Sequence, residues 1–339
     1  MNQYKASIIS PCKNEVDYID SFINQLLNQS IFDECEFIIA DGNSNDGTKE
    51  KLLEASKKHS NIIIIDNPMG IVSSALNEGI KISSNEIIVR MDIHTEYDQF
   101  YIENCVKVLL ESNANCVGGP WAAKINENKI QSAIASAFQS KFVAGGAKSR
   151  NTNYSGYVDT VYLGCWKKDY LIEIGGFDEE LVRNQDDELC MRIRMKKGKI
   201  FQSKEIKSSY LPRSSFKDLF MQYLQYGFWK IFVIKKHKRT PSLRHLVLII
   251  FFLSVFFGFF LGMLIFKILL VTSIFVASYL LSVLALAFAI SSKNERIKAH
   301  YVTFSILIMH LSYSFGMIIG LLDNIFSFKK LLKMDEISR

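Results

Sequence analysis

Three groups of side chains in this sequence have the types and spacing for chemistry. Asp92 and His94 stand one residue apart at the end of an apolar run, Ile87-Ile-Val-Arg-Met-Asp-Ile-His94. If the run is an extended strand, positions i and i+2 point the same way. A carboxylate and an imidazole can then face one divalent ion, and oxygen-rich sites with open positions bind Mg or Mn together with substrate phosphates. The second group is Asp186-Asp-Glu188, which follows the turn Gly175-Gly-Phe-Asp178. A carboxylate within hydrogen-bond reach of a hydroxyl acts as a general base, and a helix start keeps it ionised. All three acids compete for that role, and plain helix capping is the simpler alternative. The third group is Asp41-Gly-Asn-Ser-Asn-Asp-Gly-Thr48, a turn that opens a helix near Thr48.

The elements between these groups must hold them together. Short apolar runs at Ala6–Ser10, Glu36–Ala40, Asn61–Asp66 and from Ile87 read as strands. Helical spacing of Ile19, Phe22, Ile23, Leu26 and Leu27, and a helix over Ile71–Ile82, separate them. Strand and helix in alternation predict a parallel sheet covered on both faces. Ligands of such sheets bind beyond the carboxyl ends of the strands, where Pro11, Asp41, Asp66 and Asp92 gather. Further on, Asn115–Trp121 and Tyr157–Gly164 read as strands and Ile130–Phe142 as a helix. Phe142–Ala147 with Lys148 and Arg150 forms a basic loop, either plain surface or a contact for an acceptor phosphate.

Ser7-Ile-Ile-Ser-Pro-Cys-Lys-Asn-Glu15, Asp41 to Thr48, Asp92-Ile-His94 and Arg183-Asn-Gln-Asp-Asp-Glu-Leu189 together resemble the family-2 glycosyltransferases of the GT-A fold. The resemblance covers roughly residues 5–235. It implies an α/β domain with a Rossmann-like, mixed but mainly parallel sheet. By resemblance, Pro11 and Glu15 shape a nucleotide-sugar pocket, Asp41 contacts the base, and Asp92 meets the ribose and a metal. Asp186 matches the catalytic base, and Gly176, Phe177, Asp178 and Asp187 the acceptor side. The family's Asp-x-Asp ends here in His94, and imidazole ligates Mn well and Mg less readily. Tyr157–Gly164 and Arg183–Leu189 resemble the succinoglycan-type group within the family.

The rest of the chain points to a membrane. The protein has 339 residues and a net charge of +6, with much of the basic charge just before an apolar region. That distribution suggests anionic lipid, not nucleic acid. Six cysteines without a CxxC pair fit a reducing compartment, and no signal-peptide core precedes the first strand. Phe216, Leu219, Phe220, Tyr223 and Leu224 make one helical stripe, followed by Lys230, Lys235, Lys236, Lys238, Arg239 and Arg244. This predicts a basic helix over 213–243 lying on the membrane, each basic residue contributing about 1 kcal/mol near an anionic leaflet. Gln225-Tyr-Gly-Phe-Trp229 resembles the Gln-x-x-Arg-Trp motif of processive polysaccharide synthases, with Phe228 in place of Arg. Trp229 then reads as an interface anchor.

Leu246–Phe266, Ile268–Ile290 and Tyr301–Leu322 are uncharged stretches of membrane-spanning length. The expected layout is a catalytic domain over 1–212, the interfacial helix, two to three spans over 244–325, and a basic tail over 326–339. The positive-inside rule is consistent with two crossings; a third puts Lys329, Lys330 and Lys333 outside, so either that segment is re-entrant or the tail breaks the rule.

The resemblance thus implies an inverting glycosyltransferase at the cytosolic face of a bacterial inner membrane. It would move a sugar from a nucleotide sugar, expected to be UDP-linked, to a hydroxyl of a polyprenyl-diphosphate-linked glycan during exopolysaccharide assembly. The partners are membrane lipid, donor and acceptor, with no nucleic acid. Two rivals remain at this level: a processive synthase of the same fold, and a nucleotide-sugar-binding protein without turnover.

Overall fold

The computed structural model describes residues 5–327 together with 329, 332 and 334. Lys330 and Lys333 of the expected basic tail lie outside them. The chain forms two compact units.

The first unit comprises residues up to Ala122 and Ala147–Leu211. It opens with three strand–helix repeats and a fourth strand: β1 (Ser7–Cys12), α1 (Val16–Leu27), β2 (Glu36–Asp41), α2 (Thr48–Lys58), β3 (Ile62–Asp66), α3 (Val72–Ile82) and β4 (Ile87–Arg90). There follow β5 (Thr95–Tyr97), α4 (Tyr101–Glu111) and β6 (Cys116–Gly119). In the second unit α5 (Lys129–Gln139) intervenes. The first unit then resumes with β7 (Gly156–Tyr157), β8 (Tyr162–Lys167), α6 (Lys168–Ile174), α7 (Gln185–Met195), β9 (Ile200–Gln202) and β10 (Ser208–Tyr210).

Eight strands form one mixed sheet in the order β3-β2-β1-β4-β8-β6-β9-β7. The first four are parallel, and β8 enters antiparallel between β4 and β6. This mixed, mainly parallel sheet is the expected α/β architecture. Its strands are apolar on both faces because helices cover both. Ile8 and Val89 join a core with Ile19, Phe22 and Leu26 of α1, whereas their neighbours Ile9 and Ile88 join Leu76, Ile80, Trp166 and Leu189. Each fully buried aliphatic side chain contributes about 1.5–3 kcal/mol.

The second unit comprises Ala123–Gly146 and the chain from Pro212. It contains α5, α8 (Phe216–His237), α9 (Arg244–Gly262), α10 (Phe266–Ser291) and α11 (Ala299–Phe326). The last three are long and apolar enough to cross a membrane. In α9 and α10 only 11% of the apolar window is buried within the protein, against 50% in α11. Much of that cover comes from α8. Gly227 of α8 lies against the Tyr313 carbonyl, and Gly316 of α11 against the Leu224 carbonyl, so a Cβ at either would drive the helices apart.

Leu219 and Leu224 of the expected apolar stripe are accordingly buried, while Phe220 is exposed. Trp229 is no interface anchor. It is buried, and its Nε1 donates to the Met334 carbonyl at 3.0 Å. α11 runs unbroken for 28 residues, about 42 Å at 1.5 Å per residue, without the reversal that a re-entrant segment needs.

Candidate active site

The first wall of the site is built from two interlocked loops at the ends of β1 and β2. The register aligns Cys12 with Asp41 and Asp41 with Asp66. Pro11 is half-buried one residue before the end of β1. Asn14 N–H donates to Ser44 Oγ at 2.8 Å, Asn45 N–H to Asn14 Oδ1 at 3.0 Å, and Glu15 N–H to Thr48 Oγ1 at 2.8 Å. Asp46 accepts from Thr48 N–H and Oγ1 and from Val16 N–H. These bonds outweigh the opposing desolvation and hold its carboxyl below the usual range.

Asp41 is fully buried. Its Oδ2 accepts from Ser44 N–H at 3.2 Å, and nothing among the described residues hydrogen-bonds its Oδ1. A buried carboxylate oxygen in that state is a ready acceptor for a ligand N–H. Asp66 does not share the cluster: its side chain is 67% exposed and paired with Lys49 at 2.6 Å.

The second wall is the end of β4, and here the structure corrects the expected geometry. The strand stops at Arg90, and Ile93 and His94 lie in a turn before β5. Asp92 and His94 are therefore not successive outward positions of one extended strand. Asp92 is gripped by the Arg90 guanidinium, Nε to Oδ1 at 2.8 Å and Nη2 to Oδ2 at 3.1 Å. His94 Nδ1 lies 3.3 Å from Oε1 of buried Glu15. The Tyr97 hydroxyl brackets the Asp92 backbone, accepting from its N–H at 2.5 Å and donating to its carbonyl at 3.0 Å. Burial pushes that phenol well up, so it stays protonated.

The third wall is the first turn of α7, with Asp186, Asp187 and Glu188 after an Asn184 cap at φ 65°. Of the three acids that compete in the sequence, Glu188 is withdrawn. Its side chain is 1% exposed and bound by Arg192 at 2.7 and 2.8 Å. Asp187 stands in the same turn. Asp186 is the acid brought to the β4 end, where Arg90 Nη1 donates to its Oδ1. Burial pushes the Asp186 carboxyl up, Asp92 adds to this, and Arg90 opposes it. Arg90 itself is held charged, the two carboxylates overcoming its desolvation.

The turn before α7 is locked from two sides. Asn77 of α3 accepts from Phe177 N–H at 2.8 Å and donates to the Phe177 carbonyl at 2.9 Å. Arg192 donates to the Ile174 and Gly176 carbonyls at 2.7 and 2.6 Å. Gly176 has φ 63°, and a Cβ there would meet Asn77 Oδ1 at 2.6 Å. Phe177 is a core residue set edge-on to Trp166, so its ring braces the turn. Asp178 Oδ1 accepts from Glu180 N–H at 3.1 Å.

The basic loop is also tied down. Gln202 Nε2 donates to the Lys148, Asn151 and Tyr154 carbonyls. Arg150 lies over Trp121, which stacks on Tyr162, and the Tyr162 hydroxyl is 2.8 Å from Thr95 Oγ1.

Sequence reasoning missed Arg90, Tyr97, Asn77 and Arg192. Arg90 alone left a signal, as the single charge inside a buried strand.

Among the described residues no three His, Cys, Asp or Glu side chains cluster as a metal site. Asp92 offers the oxygen donor that Mg or Mn takes, and His94, whose Nδ1 faces Glu15, offers a ring nitrogen. A carboxylate has about four lone-pair sites, so Arg90 does not exhaust Asp92. Mg and Mn sites on phosphorylated substrates commonly take only one or two protein carboxylates.

Residues 7–166 match the pattern of glycosyl transferase family 2. The chain is 28% identical over 242 residues to the succinoglycan biosynthesis protein ExoA of Rhizobium meliloti, covering 71% of this chain and 73% of that one. It is 30% identical over 239 residues to a Methanococcus voltae protein, covering 68% of this chain and 74% of the relative. That relative is named dolichyl N-acetyl-alpha-D-glucosaminyl phosphate 3-beta-D-2,3-diacetamido-2,3-dideoxy-beta-D-glucuronosyltransferase. The chain belongs to glycosyl transferase family 2.

This family-2 glycosyltransferase shares its fold with a mannosyltransferase from Pyrobaculum calidifontis solved with GDP-mannose and Mn2+. The TM-score is 0.62 at 14% identity, over 94% of this chain and 87% of that one. The fold is therefore GT-A, with the three walls at the carboxyl edge of its sheet.

Proposed function

We propose that this protein is an inverting, membrane-anchored glycosyltransferase that moves one sugar from a UDP-linked donor to a hydroxyl of a polyprenyl-diphosphate-linked glycan. The observation that carries the reading is the approach of Asp186, on the first turn of α7, to Asp92 at the β4 end through Arg90. In this reading Asp92 faces the donor diphosphate, and Asp186 beside it keeps 39% of its side chain exposed. The names of the two relatives support the acceptor class: one acts in succinoglycan biosynthesis, the other on a dolichyl-linked sugar phosphate. The three long apolar helices suit an enzyme whose acceptor is anchored in a membrane, with the catalytic unit at its cytosolic face.

In this mechanism Asp41 and the loops of Asn14 and Ser44 hold the nucleotide, with Pro11 and Glu15 shaping the pocket. Asp186 takes the proton of the acceptor hydroxyl. The oxygen attacks the anomeric carbon, the bond to the donor phosphate breaks, and the configuration inverts. The Gly176–Asp178 turn and Asp187 frame the acceptor side. A divalent ion on Asp92 and His94 would supply positive charge to the leaving nucleoside diphosphate.

The test is nucleoside diphosphate release by the full chain in detergent. UDP-glucose, UDP-N-acetylglucosamine and GDP-mannose are offered with Mn2+ and a polyprenyl-diphosphate-linked sugar. We expect turnover with one donor, a product extended by a single sugar, and a loss of about 10²–10⁴-fold in Asp186→Asn. A ladder of products would replace the reading with a processive synthase. Donor binding without turnover would replace it with a binding protein.

A further inference from the structure

Arg90 occupies an unusual place. It sits in the centre of the sheet with 4% exposure, between Val89 and Met91 of the buried core. Its backbone is pinned by Met91 N–H donating to the Ile9 carbonyl at 3.1 Å. One edge of its guanidinium, Nε and Nη2, binds both oxygens of Asp92, while Nη1 reaches Asp186, 96 residues away in sequence. Two carboxylates brought close repel and drive one to protonate, and a charged group between them lifts that constraint. The planar fork of Arg serves two carboxylates in fixed directions, whereas a lysine ammonium is a mobile point charge.

We propose that Arg90 is the positioning residue of the transfer: one guanidinium fixes the spacing between Asp92 on the donor side and Asp186 on the acceptor side. This rests on the function proposed above. Arg90 touches neither substrate in this role. It acts through the two carboxylates, so its loss moves the base relative to the anomeric carbon while leaving the nucleotide loops at Asp41 intact.

The experiment compares wild type, Arg90→Lys and Arg90→Gln as full-length protein in detergent. Binding of UDP and GDP with Mn2+, kcat and donor KM, and thermal unfolding are measured for each. We expect nucleotide binding and KM within about threefold of wild type. We expect kcat to fall about 100-fold in Arg90→Gln, the cost of a displacement near 1 Å, and about 10-fold in Arg90→Lys, which restores charge but not the fork. If Arg90→Gln does not fold, Arg90→Lys carries the comparison. A folded variant with wild-type kcat overturns the proposal, as does one whose nucleotide binding falls as far as its kcat. Wild type inactive on every donor sinks the function reading and this proposal with it; active wild type matched by its variants sinks only the latter.

Discussion

The proposed donor side and the proposed acceptor side of the site are held by different kinds of bond. Around Asp41 and Glu15 the chain is fastened by short-range and loop-to-loop hydrogen bonds from Asn, Ser, Thr and Asp side chains to backbone N–H groups. Around Asp186 it is fastened by two arginines. Arg90 comes from β4, and Arg192 ties α7 to the preceding turn. The first kind joins the loops of Asn14 and Ser44, 30 to 33 residues apart in sequence. The second uses ion pairs, one within α7 and one spanning 96 residues, and it places charge where burial makes its loss costly. The proposed donor side is thus laced by hydrogen bonds between loops, and the proposed acceptor side by ion pairs.

The largest effect expected from this contrast is on the acceptor side. Arg192→Ala removes the bidentate partner of the buried Glu188 carboxylate and leaves the Ile174 and Gly176 carbonyls unmet. Thermal and denaturant unfolding should show a loss of about 3–5 kcal/mol, partly recovered in the double variant Glu188→Gln with Arg192→Met. An unchanged midpoint would break the comparison.

A smaller effect is expected at the donor side. Asp41→Ala should weaken UDP binding by about 10- to 150-fold, the equivalent of one hydrogen bond to a charged group at about 1.5–3 kcal/mol, with little change in unfolding. Equal affinity would remove Asp41 from the pocket.

The smallest effect is a pH shift. Asp186 must be ionised to accept a proton, and its carboxyl is raised by burial against Arg90's opposing charge. The acid limb of kcat/KM should therefore lie above the ordinary aspartate value of about 3.9, activity falling as pH drops through it. The stability effect has the opposite sense: the contribution of this group is present below its unfolded pKa and is lost as pH rises through its folded one. A limb that persists in the residual activity of Asp186→Asn would assign it to another group.

Much of this could be read before the fold was seen. The strand runs at Ile8, Ile38 and Ile88 and the turn from Asp41 to Thr48 carry local signals, periodicity and turn chemistry, that survive into the structure. The structure decided the rest. The pairing of Asp92 with His94 assumed an extended backbone, and the chain turns at Ile93 because the strand ends at Arg90. Asp186 and Glu188 were equivalent in sequence, and only Arg192 one helical turn later and Arg90 across the sheet divide them. α8 looked amphipathic on its own, and its glycine contact with α11 buries much of it.

The sequence by itself determined the alternation of elements and the membrane-length helices, because each follows from hydrogen bonding and hydropathy among near neighbours. Tertiary structure alone decided which acid of the α7 turn meets the β4 end. That choice is electrostatic, and it is made by a guanidinium whose two carboxylate partners lie 2 and 96 residues away along the chain.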